Sequence, residues 1–415
     1  MLGLDFGTTN SAIARRRPDG GAALARFGDG ATTFRSILYV DPDAPGPLGL
    51  PPCVSAGPEA VRAYVETGGR GRLIQSIKAH LGARSFTTTD LFGVRYRLED
   101  LVGLLLRHLR AAAERELGPL GRAVVVGRPV RFAGARDADD EAFALARLRA
   151  ALAQAGFDDV TFALEPVAAA ASYRARLARE ELVLIGDFGG GTSDFSLVRV
   201  SPRDAEVLGV DGVALAGDAF DARLIRHLAA PGLGLGSTYR TAFGRELPVP
   251  GWLFERVERW DQLSFLKTRE TSELLRRLQY EAAEPEKIDA LVHLVEDDLG
   301  FRLHGAVEAT KRGLSDATEA PFAFADGPIA LAAAVARSAM DAWIAAELAA
   351  IGACVDRLLA ATSTAPDDVA AVFLTGGSSF VPAVRALFAT RFGAERLRGG
   401  EELTSVATGL ALLAG

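Results

Sequence analysis

Cysteine is almost absent from this chain of 415 residues: Cys53 and Cys354 are the only two, too few for a disulfide framework. Nor is there an excess of basic charge. Lysine and arginine total 46 against 53 acidic residues, a formal net charge of −7, so no overall positive field gathers nucleic acid or anionic lipid. No charged-then-apolar leader precedes the first apolar segment at Leu2, and a reducing cytoplasm is the expected compartment. Long uncharged runs are missing as well. The most apolar stretch, 328–361, is interrupted by Arg337, Asp341, Glu347, Asp356 and Arg357, at intervals too short for a membrane span of about 20 residues, and reads as buried helix. The histidines, His80, His108, His227, His293 and His304, show no metal-ligand spacing with cysteine or acidic neighbours, which argues against zinc.

Lysine is the scarcest cation. Only Lys78, Lys267, Lys287 and Lys311 stand among the 46 basic residues, so wherever either cation would serve the chain has used arginine. A retained lysine marks a place where chemistry needs the compact ammonium, or a survivor on a solvated helix face.

What is present is the material of a large core. Hydrophobic residues make up 49% and charged residues 24%, the balance of a globular protein, at a length that suits two or three domains. Along the chain a strand at 2–6 turns at Gly7-Thr8-Thr9-Asn10 and resumes over 11–17, a hairpin signature. Helical patterns over 59–81 and 100–117, a strand at 122–126, a helix over 137–155, a strand at 160–164, a helix over 167–179 and a strand at 182–187 continue an α/β alternation. Strands through Arg199 and Val213 and a helix over 218–228 follow. Between 229 and 302 the pattern changes to Gly/Pro-rich loops and helices carrying Trp252, Phe254 and Trp260, read as an inserted subdomain. Helices over 304–315 and 329–361, a strand at 370–375, a Gly376-Gly377 turn and helices over 380–392 and 405–413 complete the chain.

The sequence repeats itself. Asp5-Phe6-Gly7-Thr8-Thr9-Asn10-Ser11 returns, 182 residues later, as Asp187-Phe188-Gly189-Gly190-Gly191-Thr192-Ser193-Asp194-Phe195, each copy following one apolar strand and entering another. That period is too long for a solenoid and suits two related halves. Chemically, glycines let the backbone approach a ligand closely, successive N–H groups and threonine hydroxyls donate to phosphate oxygens, and each leading aspartate can hold water around a hard cation. Two such hairpins facing each other would grip one nucleotide.

These hairpins resemble the two phosphate motifs of the actin, sugar kinase and heat-shock protein superfamily, and in detail those of the heat shock protein 70 (DnaK-type) chaperones. Further motifs occur in that family's order: Leu164-Glu165-Pro166-Val167-Ala168-Ala169-Ala170, Leu215-Ala216-Gly217-Asp218-Ala219-Phe220-Asp221, then Glu308, Lys311, Arg312 and Ser315, then Val372-Phe373-Leu374-Thr375-Gly376-Gly377-Ser378-Ser379, and the helix from Ser405. The resemblance implies an α/β, two-lobed actin-like ATPase fold with a duplicated ribonuclease H-like core and inserted subdomains. Lobe I would span 1–180 with an insertion at about 31–118, and lobe II 181–402 with a helical insertion at about 229–302. A final helix within 403–415 would return to lobe I.

The resemblance further implies ATP or ADP with Mg²⁺ as ligands, slow hydrolysis of ATP, and nucleotide-driven lobe closure in a chaperone-like role. Asp5, Asp187 and Asp194 would order the metal, largely through water. Gly7, Thr8, Thr9, Asn10, Gly189, Gly190, Gly191 and Thr192 would bind phosphates, and Glu165 would stand near the attacking water. Lys78 or Arg72 would supply the catalytic cation. Gly217, Glu308, Lys311, Arg312, Ser315, Gly376, Gly377, Ser378 and Phe380 would contact adenosine. Catalysis would fall to Glu165, Asp187, Thr192 and Lys78. Expected partners are ATP and an unidentified protein client, with neither nucleic acid nor membrane.

Three departures stand out. Phe380 replaces an arginine that stacks on adenine, and Leu403-Thr404 lacks the acid expected before the last helix. Only Ala414 and Gly415 follow that helix, which resembles the ATPase-domain-only (YegD-like) branch without a substrate-binding domain. Rival readings are a small-molecule kinase of the same superfamily, an actin-like filament protein, and a module that holds nucleotide without turnover.

Overall fold

The computed structural model describes residues 1–46, 52–67, 70–174, 177–241, 243–259, 262–263, 266–398 and 405–413. β1 (Leu2–Phe6) and β2 (Asn10–Arg16) form the expected hairpin, in register from Leu2↔Arg15 to Phe6↔Ser11. Their apolar runs are buried on both faces, as central strands require. β3 (Ala22–Leu24) and β4 (Phe34–Arg35) pair with β2. β5 (Ile37–Asp41) is the middle strand of a small sheet between β6 (Cys53–Ala56) and, beyond helix α1 (Pro58–Glu66), β7 (Arg72–Gln75). The hairpin of β8 (Thr88–Leu91) and β9 (Val94–Arg97) leads into α2 (Leu98–Leu117). β10 (Ala123–Arg128) runs parallel to β1. α3 (Ala138–Gln154) is capped by the Asp137 carboxylate, which accepts from the Asp140 amide. β11 (Asp159–Leu164) lies parallel to β10, giving the order β11-β10-β1-β2-β3.

α4 (Glu165–Arg174) leads to a second sheet, begun by the antiparallel run of β12 (Glu181–Phe188), β13 (Ser193–Val200) and β14 (Ala205–Val213). The chain then builds a separate compact unit from 213–353 and 378–387. Its elements are α5 (Gly217–Leu228), a short hairpin of β15 (Thr238–Arg240) and β16 (Glu246–Pro248), α6 (Gly251–Val257), α7 (Arg269–Glu281), α8 (Pro285–Glu296) and α9 (Gly300–Asp316). The hairpin of β17 (Glu319–Asp326) and β18 (Ile329–Ala336), α10 (Arg337–Trp343) and α11 (Ala345–Ala361) follow. Phe254 is fully buried in this unit while Trp252 is exposed under Arg256; Trp260 lies outside the described residues.

β19 (Val369–Thr375) returns parallel to β12, α12 (Pro382–Phe392) follows, and β20 (Leu397–Arg398) lies parallel to β19. The order β14-β13-β12-β19-β20 repeats the first sheet strand for strand, so the sequence repeat is also a repeat of topology. The molecule is a duplicated α/β core of the actin-like class with inserted subdomains. Both sheets belong to one compact unit of residues 1–212, 354–377 and 388–415. They share an apolar cluster that includes Val125 of β10, Ala168 of α4, Val183 of β12 and Leu410 of the last helix, α13 (Ser405–Leu413). α13 crosses α4 at a glycine: a Cβ on Gly409 would stand 1.8 Å from the Ala168 carbonyl oxygen.

Two expected helices are not there as such. Residues 329–336 are strand, paired along their whole length with β17. β17 alternates, burying Ala320, Phe322 and Phe324, but the alanine-rich Ile329–Ala336 carries no polar residue to mark a period of two, so its pattern could not be told from helix. The other case is 59–81. Helix ends at Glu66, Arg72–Gln75 pairs with β5, and Ile77–His80 is a 3₁₀ turn entered through Ser76 at φ 57°.

Candidate active site

The two polar turns are built alike. Asp5 pairs with Ala12 and Asp187 with Asp194, each one residue before the phenylalanine that ends its strand. Four residues, 7–10 and 189–192, then connect to the returning strand. In the first turn a Cβ on Gly7 would lie 2.1 Å from the Asn10 carbonyl oxygen, so only glycine fits, and the Thr9 carbonyl accepts from the Ser36 amide at 2.8 Å. In the second, the Gly189 amide donates to the Thr192 carbonyl at 2.9 Å, and the Thr192 hydroxyl donates to Asp194 at 2.9 Å. Asp194 is exposed at the rim and Gly191 is exposed at the tip.

Between them stands an ion pair. Lys78 Nζ donates to Glu165 Oε1 at 2.8 Å, with only 10% and 11% of the two side chains exposed. Lys78 reaches this place from the 3₁₀ turn after β7, and Glu165 is the first residue of α4. A glycine makes the room, for a Cβ on Gly127 of β10 would lie 3.0 Å from Glu165 Cγ. Arg72, the rival cation, lies exposed on edge strand β7.

Electrostatics ties both hairpins to this pair. Burial, then the Glu165 charge, pushes Asp5 up to about 8 against the pull of Lys78, with Asp187 adding to the rise. Burial and Glu165 likewise raise Asp187 to about 6, although the Thr375 hydroxyl donates to its carboxylate at 2.9 Å. Burial alone would lower Lys78, but Glu165, Asp5 and Asp187 outweigh it and hold the ammonium above its ordinary value. The one buried ammonium is thus paired with Glu165 and also feels Asp5 and Asp187, and this concentration of acidic groups favours an added cation.

The donor set is hard oxygen, which suits Mg²⁺. Among the described residues no three His, Cys, Asp or Glu side chains stand together closely enough to hold a metal directly, so a cation here would keep most of its water. Leu403 and Thr404, the place where an acid was expected, lie outside the described residues.

The remaining expected residues are distributed as follows. Gly217 opens α5 and is buried; Lys311 of α9 donates to its carbonyl at 3.4 Å and to Asp221 Oδ2 at 2.9 Å. Glu308, half-buried, lies about one turn before Lys311 and Arg312, exposed, directly follows it, and the Ser315 hydroxyl donates to the Lys311 carbonyl. Gly376 (φ 83°) ends β19 so close to β12 that a Cβ would stand 2.0 Å from the Phe188 carbonyl oxygen. Gly377 starts a 3₁₀ turn, Ser378 is buried, and Phe380 is 43% exposed. Sequence reading quoted Thr375 and Asp221 within motifs but gave neither a role, and it missed Gly127. The role of Thr375 could have been found from its place directly before the Gly376-Gly377 turn, and Gly127 as a lone glycine in an apolar strand.

Comparison with known proteins adds an independent line. A family model described as "Hsp70 protein" matches residues 73–231 and 274–415. The chain is similar to the chaperone protein DnaK of Thermosipho africanus (strain TCF52B), 27% identical over 417 residues, covering 100% of this chain and 58% of that protein. It is similar as well to the DnaK proteins of Thermosipho melanesiensis, 27% identical over 417 residues, and Thermotoga petrophila, 25% identical over 426 residues, covering 100% of this chain and 59% of each of those proteins. The chain therefore spans less than two thirds of the length of these relatives.

Proposed function

This chain belongs to the Hsp70 protein family, and from that premise we propose that it binds ATP with Mg²⁺, hydrolyses it slowly, and uses the nucleotide to control a protein partner in a chaperone-like role. The observation that carries the proposal is the buried Lys78–Glu165 pair, in electrostatic contact with Asp5 and Asp187 of the two repeated hairpins. Phosphoryl transfer needs mainly positioning and charge neutralisation, and this cluster is suited to both.

In this reading the 7–10 and 189–192 turns take the phosphates on their N–H groups and on the hydroxyls of Thr8, Thr9 and Thr192. Asp5, Asp187 and Asp194 hold the hydrated Mg²⁺, which when bound offsets phosphate charge. The phosphate chain competes with Glu165 for the Lys78 ammonium. Glu165, so released, accepts a hydrogen bond from water and orients it, while Lys78 stabilises charge on the leaving phosphate oxygens. The adenosine end is assigned, by match to the family motif, to Gly217, Glu308, Lys311, Arg312, Ser315, Gly376, Gly377, Ser378 and Phe380.

The test is steady-state turnover and nucleotide binding by the full chain with Mg²⁺. Lys78→Ala is expected to lower kcat by about a hundredfold or more while leaving nucleotide affinity within a few fold. Asp187→Asn and Thr192→Ala are expected to weaken both. Unchanged binding and turnover in all three would overturn the proposal, and turnover dependent on an added sugar or other hydroxyl acceptor would replace hydrolysis with kinase chemistry.

A further inference from the structure

Lys78 stands on a short turn tied by side-chain contacts to a distant helix. The 3₁₀ helix Ile77–His80 is a single turn, closed by the Ala79 amide on the Ser76 carbonyl at 3.0 Å and the Leu81 amide on the Lys78 carbonyl at 3.1 Å, a short element with little stability of its own. Its entry residue, Ser76, adopts a left-handed φ of 57°, a conformation that costs a non-glycine residue energy and persists only where surroundings enforce it. Beyond the turn the backbone closes only two further local bonds, from the Ala83 amide to the His80 carbonyl at 3.0 Å and from the Phe86 amide to the Ala83 carbonyl at 3.2 Å.

One side chain collects the carbonyls after the turn. Arg147, on α3 and 6% exposed, donates from Nη1 to the carbonyls of His80 (3.4 Å), Leu81 (3.4 Å) and Ala83 (3.2 Å), and from Nη2 to that of Phe86 (2.7 Å). Its Nε faces Glu99 of α2 at 3.3 Å. Neighbours on the same face of α3 add to the hold: Asp140 accepts from Arg84 at 2.7 Å, and the Phe143 ring lies under both Arg84 and Arg147. A planar guanidinium can serve several carbonyls at once, and an ammonium cannot match that fork.

We propose that Arg147 is the positioning residue for Lys78: by gathering the carbonyls that follow the turn, it fixes the turn against α3 and so sets the ammonium opposite Glu165, without touching Lys78 or any ligand. Its bearing on ATP turnover rests on the function proposed above; the geometric coupling does not.

The scarcity of lysine makes a direct measurement possible. Acetylation of each lysine by acetic anhydride in the full, nucleotide-free chain is followed by peptide mass spectrometry, with Lys311 of α9 as the control for general unfolding. Arg147→Gln is expected to raise the acetylation rate of Lys78 at least about tenfold, as local opening of the turn becomes easier, and to leave Lys311 unchanged. Arg147→Lys, which keeps the charge and the packed stem, is expected to show the same Lys78-specific rise. Free guanidinium at millimolar concentration should partly restore protection in Arg147→Ala.

In turnover assays the Arg147 variants should lose kcat with little change in Mg-ATP affinity. The proposal is overturned if Lys78 acetylation is unchanged in both Gln and Lys variants, or if Lys78 and Lys311 rise together in both. A wild-type chain that does not hydrolyse ATP would defeat the proposed function while the acetylation result still decides the role of Arg147.

Discussion

Asp5 and Asp187 are held above the ordinary carboxylate range, at about 8 and about 6, by burial and by the Glu165 charge. In an unfolded chain an aspartate titrates near 3.9, so above that pH the unfolded state has released a proton that folded Asp5 retains. Stability without cation therefore falls as pH rises from about 4 toward about 8. Melting temperatures measured across this window without Mg²⁺ should decline, and Asp5→Asn, neutral throughout, should flatten the decline. A wild-type profile flat over the same range would contradict the burial of this carboxylate. The same sign governs ligand binding. Near pH 7 Asp5 carries its proton, so Mg-nucleotide binding should release about one proton, read calorimetrically as an enthalpy that varies with buffer ionisation heat. Sequence motifs made Asp5 and Asp187 visible, but their shifts were not, because a pKa depends on which charges stand nearby and on how much water has been excluded.

At the scale of elements, the crossing of α4 and α13 positions Glu165, which begins α4. The Gly409 Cα stands so close to α4 that any side chain would meet the Ala168 carbonyl. Gly409→Ala is expected to destabilise the chain by about 1–3 kcal/mol in denaturant titration, through overpacking, and to reduce turnover by displacing the start of α4. Stability within about 0.5 kcal/mol of wild type would show that the helices separate freely there. The final helix was legible over 405–413, where small and apolar residues recur without proline. The hairpin of β17 and β18 was not, since alanine fits helix and strand alike once no polar residue marks the exposed face, and only pairing with the alternating Glu319–Asp326 strand decided between them. Lys78 shows the same limit. Its turn has no periodic signature, and which of Arg72 and Lys78 pairs with Glu165 fell to the edge-strand pairing of 72–75 with β5, which leaves Arg72 exposed and is followed by the turn that carries Lys78 to Glu165.

For the whole molecule, the duplicated sheets lie in one compact unit and share an apolar cluster, so a ligand held by both hairpins should protect both. Hydrogen exchange with and without Mg-ATP is expected to slow the amides of 7–12 and 189–194 together, and chelation of Mg²⁺ should reverse both. Protection of one hairpin alone would break the link between the repeat and a shared site. At ligand concentrations about a hundredfold above Kd, linkage predicts about 2.7 kcal/mol of added stability, lost in Asp187→Asn. By itself the sequence determined the repeat, the α/β alternation around it, and the matching places of acids, glycines and threonines in its two turns, because these depend on short-range backbone requirements and on residue type. Only the tertiary structure decided that Lys78 meets Glu165, that Thr375 reaches Asp187 and that Arg147 gathers the carbonyls beyond the Lys78 turn. Each of those joins positions 61 or more residues apart, and such distances are closed by packing of the core, which no local pattern encodes.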